Sequence, residues 1–348
     1  MLKLGFLIAA LFVSQAQALE FDAAKEKKCR EQLQKSLCYT GHVQHWSQVS
    51  GDRRAKTKAL VAYQDRKCEK LPSGHLQTLL SLYDSYPAEV KVAFCDIQRF
   101  FIVKGAVEYG GRTEYFFPPE KAKFAENEWG VVGFKGVPSG YVLEISEANR
   151  FKNESNSAYS TRVTQNRFGQ GVERNGFSET LPSVEHETGH GTNGALATTI
   201  VHEIGHMLSR ASRSTDIFFE PVSATTWSNF SWAVDEFQIA PKNSVEIFEK
   251  SRSKSLKASD VGASMDFLRG LGFVSFYGST NPEEDFAETF MVGFYPEYRM
   301  SHAGQVVYDV GSEMASNPVL SRKRAYIEAL LEKASPYDLS KHGPIGNL

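Results

Sequence analysis

The chain has 348 residues, 41% of them hydrophobic, enough to bury a large core in one large domain or two smaller ones. Its 39 Lys and Arg against 41 Asp and Glu leave a formal charge of −2, so no broad basic field points to nucleic acid as a partner. The basic runs Asp52-Arg-Arg-Ala-Lys-Thr-Lys58 and Ser251-Arg-Ser-Lys-Ser-Leu-Lys257 are local and read as solvated faces or loops.

Residues 1–18 have the layout of an export signal: Lys3 as the positive start, Leu4 to Val13 as the apolar stretch, and Ala16-Gln17-Ala18 as a small-residue cleavage site. The apolar run is too short to anchor in a bilayer, and no later stretch approaches the ~20 apolar residues of a membrane span. No cysteine directly follows the cleavage site, where Leu19 stands, which argues against a lipid anchor. The mature protein is expected to begin at Leu19, outside the cytoplasm in the periplasm or beyond the cell, without stable membrane insertion.

Residues 19–96 read as a helical, cross-linked subdomain. Lys25 to Leu37, Ala55 to Lys70 and Leu76 to Tyr83 are rich in helix formers. The four cysteines, Cys29, Cys38, Cys68 and Cys95, are even in number, lack any C-x-x-C spacing and belong to an exported chain, so two disulfides are expected. If Lys25 to Cys38 is one helix, Cys29 and Cys38 lie ~13 Å apart along it and cannot bond to each other. An antiparallel hairpin with the Ala55 to Lys70 helix would bring Cys68 to Cys29 and leave Cys38 for Cys95.

Residues 97–348 read as a second domain. Ile97-Gln-Arg-Phe-Phe-Ile-Val103 and Tyr141-Val-Leu-Glu-Ile145 are strand-like, and Gly110-Gly111, Pro118-Pro119 and Pro138-Ser-Gly140 punctuate them. Residues 149 to 194 are polar and rich in Asn, Ser, Gly and Thr, as in a long loop or flap. His186-Glu-Thr-Gly-His190 lies within it, but glycines flank His190, Gly194 follows, and each costs a helix about 1 kcal/mol. No apolar face accompanies this stretch, which reads as a loop leading into the helix that follows.

That helix is Ala197-Thr-Thr-Ile-Val-His-Glu-Ile-Gly-His-Met-Leu208. It carries H-E-x-x-H as His202, Glu203 and His206. At 3.6 residues per turn the two imidazoles share one face and can hold one Zn²⁺ in adjacent positions. Glu203 lies beside them, placed to take a proton from a zinc-bound water. Ala197, Ile200, Val201, Ile204 and Leu208 form an apolar face.

Residues 212 to 262 are mixed and aromatic-rich, with Trp227 and Trp232, and Met265 to Leu271 reads as a helix. In the next strong segment, Asn281 resembles an N-cap and Pro282 the first helical residue. The helix they open places Glu284 and Glu288 one turn apart on one face, with Glu283 and Asp285 rotated roughly 100° to either side. Residues 320 to 334 close the chain with an amphipathic helix.

Catalytic zinc commonly takes three protein ligands and keeps one position open. The H-x-x-G-x-x-H continuation is absent, since Met-Leu-Ser-Arg-Ala-Ser-Arg213 follows His206, so the third ligand must come from farther along the chain. Glu284 can complete a His₂-carboxylate site. Glu288 can accept the remaining ring N–H of a ligand histidine and orient it. Tyr277 can donate to the oxyanion of a tetrahedral intermediate.

The pair His-Glu-Ile-Gly-His206 and Tyr277-Gly-Ser-Thr-Asn-Pro-Glu-Glu-Asp-Phe-Ala-Glu288 resembles the gluzincin peptidase family of the anthrax lethal factor catalytic domain, which includes the Pro-Pro endopeptidases. The resemblance covers about residues 195 to 295. The interval from His206 to Glu284 is longer than in that family and implies an insertion. It implies Glu284 as ligand, Tyr277 seven residues before it and Glu288 four after it. It also implies an α+β, zincin-like core, with a small sheet over two metal-bearing helices.

The expectation is therefore an exported zinc metalloendopeptidase acting on proteins or peptides, with an exposed edge strand, Tyr141 to Ile145, pairing with extended substrate. A non-catalytic zinc-containing binding protein and an amide hydrolase of cell-wall peptides share the same ligands. Glu203 argues against the former, since a purely structural site needs no base; no residue separates the latter from a peptidase.

Overall fold

A computed structural model describes residues 21–105, 110–121, 124–126, 132–134, 136–147, 177–180, 194–212, most of 263–275, 277–295, 299–302 and 305–339. The expected export signal, His186 to His190, Trp227 and Trp232 lie outside the described residues, as does the polar segment 149–193 apart from Phe177–Thr180. The strands are β1 (Leu37–Thr40), β2 (Ile97–Val103), β3 (Gly111–Phe116), β4 (Phe124–Glu126), β5 (Val132–Phe134), β6 (Gly140–Ser146), β7 (Phe177–Thr180), β8 (Arg299–His302) and β9 (Gln305–Asp309). The principal helices are α1 (Ala23–Ser36), α2 (Arg53–Gln64), α3 (His75–Ser85), α4 (Gly194–Ser212), α5 (Pro282–Phe294), α6 (Val310–Ser316) and α7 (Pro318–Leu331). The protein is mixed α/β, and no helix among the described residues is long and apolar enough to cross a membrane.

The main sheet has the order β1-β2-β6-β3. β1, β2 and β6 run parallel, and β3 is antiparallel to β6. β4 pairs with β5, and β7, β8 and β9 form a separate sheet. Strand alternation sends Phe100, Ile102, Tyr141, Leu143 and Ile145 into one core with α1, α3, α4, α5 and α7, and Phe101, Val103 and Val142 into a second core with Tyr63 of α2.

This arrangement corrects the expected edge strand. Tyr141 to Ile145 sits inside the sheet, with every residue of β6 buried, and β3 is the edge beside it. The reason lies in the side chains. A strand covered on both faces must be apolar on both, and β6 is, apart from Glu144 and the terminal Ser146. The Glu144 carboxylate is buried against the guanidinium of Arg66, which lies 4.2 Å from the ring centroids of both Tyr63 and Phe101.

The expected disulfide pairing is also corrected. The structure joins Cys29 to Cys95 and Cys38 to Cys68, not Cys29 to Cys68 and Cys38 to Cys95. The expected hairpin does not form because α1 and α2 pack on opposite faces of the sheet. Asp22 caps α1 by accepting from the Lys25 amide at 2.8 Å, but the helix stops at Ser36, and Cys38 belongs to β1. α2 likewise ends at Gln64 rather than Lys70, and the chain after it runs back beside β1. There the Glu69 amide donates to the Tyr39 carbonyl at 2.7 Å and the Thr40 hydroxyl to the Lys67 carbonyl at 3.2 Å, which brings Cys68 to Cys38. Cys29 faces the turn Val92–Asp96 that contains Cys95. Non-reducing peptide mapping of the mature protein should recover Cys29–Cys95 and Cys38–Cys68; a Cys29–Cys68 peptide would contradict this packing.

Candidate metal centre

α4 is buried nearly all round. Leu196, Ala197, Ile200, Val201, Ile204, Met207 and Leu208 join the core, while His202, Glu203 and His206 turn toward α5 and β3. Asn281 caps α5 by accepting from the Glu284 amide at 3.0 Å, and Pro282 fills the first helical position, where no amide hydrogen is needed.

Gly205 lets the two helices meet. A Cβ there would lie 2.9 Å from the Ala287 Cα and 3.2 Å from the Phe290 side chain. The glycine inside H-E-x-G-H thus permits a small-on-small crossing that sets Glu284 and Glu288 against the histidines.

His202 Nε2 and His206 Nε2 lie 3.1 Å apart, and Glu284 Oε2 is 3.2 Å from the first and 3.4 Å from the second. Ligands about 2.05 Å from a tetrahedral zinc stand about 3.3 Å from one another. The three donor atoms therefore span one face of such a site. Their chemistry also fits a cation. His202 Nδ1 faces Glu288 Oε1 at 2.9 Å. A ring that donates there presents its Nε2 lone pair to the second ring and to a carboxylate oxygen. Electron pairs converging in a buried site repel unless a positive charge lies among them.

The proton equilibria carry the same message. Burial opposes a charged His202 ring, yet Glu284 and Glu288 outweigh it and push the pKa up to about 10. Burial alone would raise the pKa of Glu284, but His206 and His202 hold its carboxyl well below the usual carboxylate range. A site that so favours a proton favours a metal cation by the same electrostatics.

Behind these three side chains, Ser275 donates to Glu288 Oε2 at 2.7 Å, and the Gly278 amide donates to Ser275 Oγ at 2.9 Å. This chain aims Glu288 at His202. Asp285, one residue beyond Glu284, is held by the buried ammonium of Lys323 from α7, 2.7 and 2.6 Å from its two oxygens. Lys323 also donates to the Gly272 carbonyl at 2.7 Å, so the first turn of α5 is tied to the segment before it.

β3 holds Glu203. The Thr113 hydroxyl lies 2.9 Å from Glu203 Oε2 and 3.0 Å from the Glu203 carbonyl. A Cβ on Gly111 would lie 2.6 Å from Glu203 Oε1, so only glycine leaves that oxygen its place. The Tyr277 ring lies 6.0 Å from the His202 ring. Burial, then Glu284, pushes its phenol well above the ordinary range, and its hydroxyl hydrogen-bonds to Glu284.

The structure thus brings together His202, Glu203, His206, Tyr277, Glu284 and Glu288, and leaves all four cysteines in the disulfides described above. Sequence reasoning missed Thr113, Ser275, Lys323 and Arg210. Arg210 alone carried a signal, being one turn beyond His206 on the same face.

No protein-family model matches the chain, and no curated protein matches it. One solved structure, "a putative zinc-binding metallo-peptidase from Bacteroides caccae ATCC 43185", aligns over 92% of this chain and 90% of its own, with 12% identity and a TM-score of 0.35. A likeness this loose fixes neither fold family nor activity.

Lys323→Ala should cost about 3–5 kcal/mol of unfolding free energy, because it strands Asp285 without its buried partner. Gly205→Ala should cost about 1–3 kcal/mol by forcing α4 and α5 apart. Urea denaturation monitored by circular dichroism checks both, and a neutral result for either would contradict the packing described.

Proposed function

We propose that the chain is an exported zinc-dependent metallopeptidase of gluzincin type, with His202, His206 and Glu284 as the metal ligands. The convergence of their three donor atoms, at the mutual distances of a tetrahedral face, carries the reading. Two disulfides suit an oxidising compartment outside the cytoplasm.

When bound, zinc supplies Lewis acidity, polarising a carbonyl and making water acidic near neutral pH. The side chains do the rest. Glu288 receives the Nδ1 proton of His202 and fixes the ring's orientation. Thr113 ties down Glu203 Oε2 and leaves Oε1, the oxygen beside Gly111, to accept a proton and return it to the leaving amine. Tyr277 stays protonated and supplies a donor for developing oxyanion charge. The outer edge of β3 offers backbone groups to an extended peptide. The placement of Glu203 favours catalysis over a purely structural zinc site, which needs no oriented carboxylate at that point.

The natively purified protein should hold about one zinc per chain, in keeping with a single three-ligand site. Glu203→Gln should keep the metal and lose about 10²–10⁴-fold in turnover of a diverse peptide library. Glu284→Ala should lose most zinc affinity, and Glu288→Ala about 10–100-fold. Zinc titration of both variants checks the assignment. Loss of metal in Glu288→Ala with retention in Glu284→Ala would reverse the two roles, and failure of the native protein to take up zinc at all would sink the proposal.

A further inference from the structure

The outer edge of β3 is closed along part of its length. The Ser146 amide donates to the Gly110 carbonyl, so Gly110 faces β6. By the alternation of an antiparallel ladder, Arg112 and Glu114 then face β6, and Gly111, Thr113 and Tyr115 turn their backbone groups outward. An added strand would use those outward groups. Gly111 lies against the catalytic end of Glu203, as the 2.6 Å approach of a Cβ there to Oε1 shows. Thr113 is the next outward residue.

Its carbonyl is taken. Arg210 Nη1 donates to the Thr113 carbonyl at 2.5 Å. The same nitrogen lies 3.9 Å from Glu114 Oε2, and Nη2 lies 3.8 Å from Glu283 Oε2 on α5. Strand alternation puts the Thr113 and Glu114 side chains on opposite faces of the sheet. A guanidinium near the Glu114 carboxylate and on the Thr113 carbonyl therefore lies across the edge itself, in the lane an added strand would occupy. It stands 5.4 Å from the Tyr115 ring centroid, and its side chain is only 18% exposed. Glu114 is held from the far side by His45, 3.1 Å away. Among the described residues, this group links β3 to the first turn of α5.

We infer that Arg210 sets the substrate length: it ends the strand pairing at Gly111, so the enzyme grips no more than two residues on the amino side of the scissile bond through the backbone. The inference rests on the peptidase reading. Antiparallel pairing is the more stable geometry per residue. In that orientation the residue just before the cut lies opposite Gly111, and the third residue before it lies opposite Thr113. The substrate class is thus peptides cut close to their amino end, or chains whose upstream part turns away from β3 after two residues.

A backbone scan tests this on the unaltered protein. A peptide cut by the zinc-loaded protein is selected from a diverse library and remade with single N-methylated amides. Two quantities are followed: kcat/KM with wild type, and Kd with zinc-loaded Glu203→Gln. N-methylation at the residue before the cut should cost about fivefold or more in both, the worth of a backbone hydrogen bond. At the third residue it should change neither by more than about twofold. In Arg210→Met, methylation at the third residue should begin to cost about fivefold. If that variant fails to fold, the wild-type scan still decides. A fivefold loss at the third residue in wild type would overturn the inference and leave the peptidase reading standing. Absence of any cleavage would overturn both.

Discussion

Two imidazole nitrogens and a carboxylate oxygen, buried and within 3.1–3.4 Å of one another, are unfavourable company without a positive charge between them. Much of the surrounding structure serves to hold them there. Gly205 spares a side chain that would push α4 and α5 apart. The Asn281 cap and Pro282 start α5 at the position that puts Glu284 in its first turn. Lys323 fixes that turn through Asp285, at the cost of burying an ammonium. Burial lowers the pKa of Lys323, while Asp285 acts to keep it charged.

The sheet contributes from the other side. β3 is antiparallel in an otherwise parallel group of strands, and its Thr113 hydrogen-bonds to Glu203. Its alternation divides the labour. Gly111 and Thr113 face α4 and shape the carboxylate, while Glu114 faces the opposite core and meets His45. Arg210 crosses between the two faces. One short strand therefore orients the proposed base and, under the inference above, limits what reaches it.

Legibility in the sequence followed the range of the interactions. His202, Glu203 and His206 could be read because helical spacing is local, and so could the start of α5, because capping is settled within four residues. That a distant carboxylate must complete the site followed from the missing third ligand, and the choice of Glu284 over Glu288 drew on its place in the first turn and on a resemblance that joined two distant segments. The disulfide partners were not legible. They depend on which face of the sheet α1 and α2 cover, and that turns on where α1 stops: Leu37 and Cys38 are compatible with one more helical turn or with a strand. The place of β6 inside the sheet was not legible either: strand pairing is long-range, and its one charged residue, Glu144, is answered by Arg66 only inside the folded protein. Thr113 and Lys323 resemble many other threonines and lysines, and their roles exist only once β3 meets α4 and α7 meets α5.

The central claim is that His202, His206 and Glu284 hold one metal ion. Anomalous diffraction at the zinc edge from crystals of natively purified protein tests it most directly. The account expects a single strong peak about 2.0–2.2 Å from His202 Nε2, His206 Nε2 and a Glu284 oxygen. A zinc peak ligated elsewhere in the chain, for instance by His186 and His190, with none among these three side chains, would contradict it.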